Sequence, residues 1–298
     1  MCYNILCVCA YKFRFTEAHT VRRNKMEFKN AEGQIICDKK LYIFDMDGTI
    51  YLGGKPFDFA ISFIKKLRES GRRVLFFTNN ASHTTPFYKE KLTRLGFEPR
   101  EDEIMTSGDV TYEFLKRFRK DKSVYLVATD ELCREYAEKG IKLLRGDEDR
   151  ADIVVTSFDT SLTYEKLNNA CRFVRNGAEY LSTHPDYNCP TETGFIPDSG
   201  AIAAFVTAST GRTPTYFGKP YKETIEMIGE ATGFSNEEMC IFGDRLYTDI
   251  ALGKRFGVTA VLVLSGETQP SDVDTAADAD KPDFVFNSLA DVDRIIFG

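Results

Sequence analysis

The chain has 298 residues, long for one compact domain and comfortable for two. A formal net charge of −6 weighs against a nucleic-acid binder, which ordinarily shows a basic face, and no apolar run reaches the ~18–20 residues that cross a bilayer. Eight cysteines without paired CxxC spacing, and three histidines far apart, exclude an obvious zinc site or disulfide scaffold and fit a reducing, cytoplasmic setting.

The chain opens on MCYNILCVCAYKFRF, which lacks the basic start and small-residue cleavage site of a targeting segment. Residues 1–40 are expected to be an accessory or disordered extension, with Met26 as an alternative start. From residue 41 onward β-branched and aromatic runs alternate with helical periodicity. Residues 41–47 read as a buried strand and 56–70 as a helix with Phe57, Ile61, Ile64 and Leu67 on one face, closed by Gly71. Strand 72–78, helix 86–95, strand 104–107 and helix 110–119 follow.

A second set then appears: strand 123–129, helix 131–139, strand 151–158, helix 163–175 and strand 178–184. Residues 185–200 form a long loop with Pro185, Pro190 and Pro197, stiffened rather than slack, and loops of this length inside domains are often functional. Helix 201–210, strand 214–219, helix 221–232, strand 239–244, a helix near 249–256 and strand 259–265 come next. A polar loop, 266–282, and a last strand, 283–289, complete the pattern. Such alternation predicts an α/β fold with parallel sheets covered by helices.

Chemistry concentrates at strand ends, where ligands bind in parallel α/β sheets. Asp45 and Asp47 lie two apart after an apolar strand, and Gly48 lets the chain turn so that both reach one cleft. A charged carboxylate can attack phosphorus or hold a cation, and a neutral neighbour can protonate a leaving oxygen. Thr78, Asn79 and Asn80 at the next strand end suit phosphate oxygens, although the same residues make a good turn and helix cap. Lys219 can neutralise a phosphoryl oxygen and a nearby carboxylate, and most lysines are simply solvated. Asp244 and Asp249, five residues apart at a further strand end, can hold a hard cation or cap a helix.

Each piece is ambiguous alone, but their order is not. Asp-x-Asp-Gly-Thr at 45–49, Thr-Asn-Asn at 78–80, Lys219 and Gly-Asp-x-x-x-x-Asp at 243–249 together closely resemble the four signature motifs of haloacid dehalogenase-like phosphatases. The resemblance covers residues 41–298, and GTIYLGG, TNNAS and FGKPY look like the 4-nitrophenylphosphatase branch, subfamily IIA. It implies a Rossmann-like doubly wound parallel core at 41–120 and 214–298 with an inserted α/β cap of type 2 at 121–213.

By that resemblance the protein hydrolyses a small phosphomonoester with magnesium through an aspartyl phosphate on Asp45. Asp47 is then the general acid and base, its main-chain carbonyl binding metal; Thr78, Asn80 and Lys219, with Asn79 beside them, hold the phosphoryl group. Asp45 and Asp244 supply metal oxygens, with Asp249 in support. The cap loop residues His184, Asp186, Tyr187, Asn188 and Thr191 are placed to reach the leaving group, with surface decoration as the alternative for each. No nucleic-acid or membrane partner is expected, and related enzymes make a homodimer through the cap plausible. A phosphotransferase or mutase using the same aspartyl phosphate, and a non-catalytic sensor, are the competing readings. A dinucleotide oxidoreductase or a P-loop hydrolase would need GxGxxG or GxxxxGK[ST], and neither motif is present.

Overall fold

A computed structural model describes residues 30–191 and 194–298. Two parallel sheets organise them. The larger has six strands in the spatial order Phe284–Phe286, Thr259–Val263, Met239–Gly243, Leu41–Phe44, Arg73–Thr78 and Ile104–Thr106, every neighbouring pair parallel. Leu41–Phe44 lies at the centre, buried on both faces, which is why it reads as a continuous apolar run rather than an alternating one. Later strands add to one side of it and earlier crossovers to the other, so its carboxyl end is a topological switch point, where open α/β sheets form their ligand crevice. This is the doubly wound core the sequence predicts.

The smaller sheet, again parallel, has the order Thr215–Tyr216, Glu179–Ser182, Ile153–Thr156, Ser123–Val127 and Lys142–Leu143. It forms the inserted α/β cap. Thr215–Tyr216 pairs with Leu181–Ser182, so the stretch 214–219 gives its strand to the cap rather than to the core, where the sequence reading put it. A dipeptide strand carries too little pattern to declare its sheet. One apolar cluster runs from core to cap through Ala81, Tyr112, Leu132, Tyr136 and Phe217, and the two units pack as one body.

Several elements differ from the sequence reading, each for a local reason. The helix expected at 110–119 spans Ser107–Phe118, because Thr106 and Asp109 exchange side-chain and backbone hydrogen bonds in a capping box. Asn30–Cys37 is a helix inside the stretch expected to be an extension; Ile36 is buried and its carbonyl accepts from the Tyr42 hydroxyl at 2.7 Å. The remainder of that extension, residues 1–29, lies outside the described residues. The loop 185–200 contains an antiparallel hairpin, Asn188–Thr191 with Gly194–Pro197, and the polar loop 266–282 holds a short helix, Pro270–Thr275. The hairpin's strands are largely exposed and show no alternation for a periodicity argument to detect.

Candidate active site

The carboxyl ends of the central strands converge on a cleft of about 370 Å³ between core and cap. Asp45 follows Leu41–Phe44 directly, and its main-chain N–H continues the sheet by donating to Phe242 O at 2.8 Å. Lys219 arrives from the chain leaving the cap, almost wholly buried. Its ammonium pairs with Asp45 Oδ1 and lies 2.6 Å from Asp249 Oδ1. Burial works against that charge, but Asp249 and Asp45 outweigh it and hold the lysine protonated above its ordinary range.

Asp244 closes the group. Asp45, Asp244 and Asp249 each bring one carboxylate oxygen within 4.8 Å of the others. Asp244 Oδ2 accepts from the Glu267 N–H at 2.7 Å, whereas Asp244 Oδ1 is buried and accepts no hydrogen bond. Burial first, then the charges of Asp45 and Asp249, push Asp244 up to about 8. Burial likewise raises Asp45 to about 6, with Lys219 pulling against it. An orphaned buried oxygen facing two more carboxylates is the donor set of a hard cation, which would relieve the repulsion. The backbone is cut to fit these acids: a Cβ at Gly266 would stand 2.0 Å from Asp244 Oδ2, and one at Gly48 2.4 Å from it. Only hydrogen is tolerated at either position.

Asp47 faces the cleft beside the metal-type acids but outside their cluster. Burial raises its carboxyl, with Lys91 opposing, a suitable bias for an acid that donates a proton. Thr78 and Asn80 line the same wall. Thr78 Oγ1 accepts from Asn80 N–H at 3.2 Å, and Asn80 Oδ1 accepts from Ser82, which leaves the Asn80 amide protons a single weak partner, Cys189 Sγ at 3.8 Å.

Two expected phosphate or substrate contacts take other roles. The Asn79 side chain is spent on structure. Its Oδ1 accepts from Lys219 N–H at 2.7 Å, and its Nδ2 donates to Lys219 O at 3.0 Å and to Asp186 Oδ2 at 3.1 Å. Asn79 therefore clamps the lysine loop to the cap. His184, expected on substrate, is fully buried and absent from the cleft wall; its Nε2 lies 2.8 Å from Asp198 Oδ1, and Asp198 is the group that reaches the cleft. Of the other cap-loop residues, Asp186 and Asn188 line the cleft and Tyr187 and Thr191 do not.

Sequence reasoning missed Arg245, Lys91 and Tyr51 in the core wall and Phe158, Thr160, Cys189, Ile196 and Asp198 in the cap wall. Arg245, adjacent to Asp244 and 2.9 Å from Glu267 Oε2, was available from its place in the motif. Lys91 lies on the helix Thr85–Arg94 and donates to the Tyr51 hydroxyl at 3.0 Å, a pairing of two elements that no local pattern reveals.

This constellation sets one buried lysine among three clustered carboxylates at the mouth of a cleft between core and cap. The family model for haloacid dehalogenase-like hydrolases matches residues 42–142, and a second, HAD-hydrolase-like model matches residues 216–292. The chain is 33% identical over 252 residues to 5′-nucleotidase YutF of Bacillus subtilis, covering 85% of this chain and 96% of that protein. It is 36% identical over 234 residues to an acid sugar phosphatase of Staphylococcus aureus, covering 78% of this chain and 90% of that protein. The crystal structure of 4-nitrophenylphosphatase from Thermotoga maritima superposes with a TM-score of 0.82 at 40% identity, over 88% of this chain and 99% of that one. The chain belongs to the haloacid dehalogenase-like hydrolase family. Within it, the fold and the sequence both fall in the 4-nitrophenylphosphatase-like branch.

Proposed function

We propose that this protein is a magnesium-dependent phosphomonoesterase in which Asp45 is phosphorylated and then released by water. The observation that carries this reading is the buried Asp45–Lys219–Asp249 chain beside an Asp244 oxygen with no partner. Lys219 holds Asp45 charged and aimed, which a nucleophilic carboxylate requires. The Asp45 oxygen attacks phosphorus as the bond from phosphorus to the leaving oxygen breaks. Asp47 gives that oxygen its proton, then takes one from the water that attacks the acyl phosphate. Inorganic phosphate departs and Asp45 is regenerated as the carboxylate. Thr78, Asn80 and the Lys219 ammonium hold the phosphoryl oxygens, while Asn79 fixes the lysine loop.

Magnesium would be held by Asp45, Asp244 and the Asp47 carbonyl with Asp249 behind, and when bound it neutralises phosphoryl charge. The relatives carry names for nucleotide, sugar-phosphate and nitrophenyl-phosphate hydrolysis, so the natural ester is a small metabolite of the nucleotide, sugar-phosphate or glycerol-phosphate kind. Among the described residues no helix is long and apolar enough to cross a membrane. A cytoplasmic setting and a homodimer through the cap complete the reading; light scattering of the purified protein tests the second. The reading itself is tested by phosphate release from a panel of phosphomonoesters with magnesium and with EDTA. Magnesium-dependent release supports it. No release from any ester by folded protein overturns it.

A further inference from the structure

The cap side of the cleft carries a second polar assembly. Asp198 is 4% exposed, yet it lines the cleft. Its Oδ1 caps the helix Ser199–Thr210 through Ser199 N–H at 2.6 Å and faces His184 Nε2 at 2.8 Å. Its second oxygen has no hydrogen-bond partner among the described residues and is not sealed from solvent. Asp186 stands beside it, one oxygen held by Asn79.

Hydrogen-bond bookkeeping fixes one end of the histidine. Nε2 faces a carboxylate, which only accepts, so Nε2 carries a proton. Nδ1 lies 3.2 Å from Ser107 Oγ, whose own proton goes to Asn79 O, and 3.1 Å from Thr183 Oγ1, which also has Ser157 Oγ and Ser199 Oγ within reach. Burial disfavours a charge on the ring, but Asp198 and Asp186 outweigh it and raise His184 above its ordinary value.

The electrostatic consequence concerns the leaving group. His184 faces one of the two carboxylates, and the cap wall keeps two carboxylate oxygens, one on Asp198 and one on Asp186, without a hydrogen-bond partner among the described residues. The lysines and arginine of the cleft, Lys91, Lys219 and Arg245, all lie toward the core acids, beside Asp47, Asp45 with Asp249, and Glu267 respectively. Aromatic surface flanks the acids: Phe158, and Phe87 stacked on His83 at 3.7 Å between ring centres. Building on the phosphatase reading above, we infer that Asp198, oriented by the buried His184 Nε2–H, is a specificity-determining acceptor that selects esters whose leaving alcohol carries further hydroxyl groups. A leaving group with a second phosphate is repelled by the same wall. His184 is a positioning residue that acts through Asp198.

Matched ester pairs test this: glycerol phosphate against propyl phosphate, ribose 5-phosphate against tetrahydrofurfuryl phosphate, and a nucleoside 5′-monophosphate against its 2′,3′-dideoxy analogue. In the pair that is turned over best, the wild-type enzyme should favour the hydroxylated member by about tenfold or more in kcat/KM. Asp198→Asn should erase that preference through KM while leaving 4-nitrophenyl phosphate turnover within about twofold. Equal rates within every pair, or a preference unchanged in the variant, would overturn the inference while 4-nitrophenyl phosphate turnover still upholds the phosphatase reading. Failure on 4-nitrophenyl phosphate as well would instead sink the reading on which it rests. Nitrogen NMR of His184 gives a second readout that needs no variant: Nε2 should be of protonated type at neutral pH, and an unprotonated Nε2 contradicts the inference.

Discussion

Asp45 and Asp47 are chemically alike and two residues apart, and the structure separates their tasks by surroundings. Asp45 sits against the buried Lys219 ammonium, which pulls against the burial that raises its carboxyl to about 6, while Asp47 faces the cleft, raised by burial with the charge of Lys91 opposing. Asp45→Asn keeps the shape but removes the nucleophile, and it should lower phosphate release by more than about a thousandfold with an unchanged melting curve. Asp47→Asn should slow alkyl phosphates by about a hundredfold or more, while 4-nitrophenolate, which hardly needs a proton, suffers far less; equal losses on both would contradict the acid role. Lys219 is the stability residue of the site. Lys219→Ala leaves Asp45 and Asp249 buried without their cation, and denaturant unfolding of the metal-free protein should show a loss of about 3–5 kcal/mol. Asp45, Thr78 and Asp244 could be placed at strand ends from the sequence because each follows or ends an apolar run. Asn79 and His184 could not be assigned correctly, since their partners, Lys219 and Asp198, are set by folds of the chain 140 and 14 residues away.

At the scale of elements, the turns after Leu41–Phe44 and Met239–Gly243 and the approach of Ser265 and Gly266 build one acidic nest. Asp45 and Asp244, at about 6 and about 8, both bind protons more tightly in the folded chain than at the ordinary value of 3.8. The native state therefore takes up protons as pH falls, and the stability these groups give is present in acid and lost as pH rises through 6 to 8. EDTA-treated protein should melt lower at pH 8 than at pH 5, and magnesium should restore the loss at the higher pH, by about 2.7 kcal/mol at a hundredfold excess over Kd. A melting temperature that rises with pH in EDTA, or one indifferent to magnesium, would contradict the nest. The strands and long helices were visible as periodicity. The hairpin Asn188–Pro197 was not, because both its strands are largely exposed and nothing apolar alternates along them. The dipeptide strand Lys142–Leu143 was too short to carry a pattern, and Thr215–Tyr216 reads as the longer strand 214–219 with nothing in it to declare its sheet.

Over the whole molecule, core and cap meet along a seam that includes the loop 79–84 and the start of the helix Ser107–Phe118. Thr129 Oγ1 donates to Ser82 O at 3.0 Å, Glu131 accepts from Thr84 N–H at 2.9 Å and pairs with His83 at 3.0 Å, and Tyr136 OH donates to Gly108 O at 2.7 Å. The same loop carries Asn80, one of the proposed phosphate donors, next to Thr78, so on that reading the docking of the cap and the grip on the phosphoryl group share a backbone. Glu131→Ala strips three contacts from the seam and should raise KM several-fold for every ester while leaving the metal dependence unchanged, as steady-state kinetics at varied magnesium would show. Alternating strands and helices announced the two-unit architecture, but the contact between units was beyond a reading of local pattern. It depends on pairs such as Asn79 with Asp186, 107 residues apart.

The most direct test is to stop turnover of 4-nitrophenyl phosphate with acid in the first moments of reaction and locate any phosphoryl group on the protein by peptide mass. The mechanism predicts a labile phosphoryl group on Asp45, more of it in Asp47→Asn, where water lacks its base, and none in Asp45→Asn. A phosphoryl group on another residue, or near-normal turnover by Asp45→Asn, would contradict it.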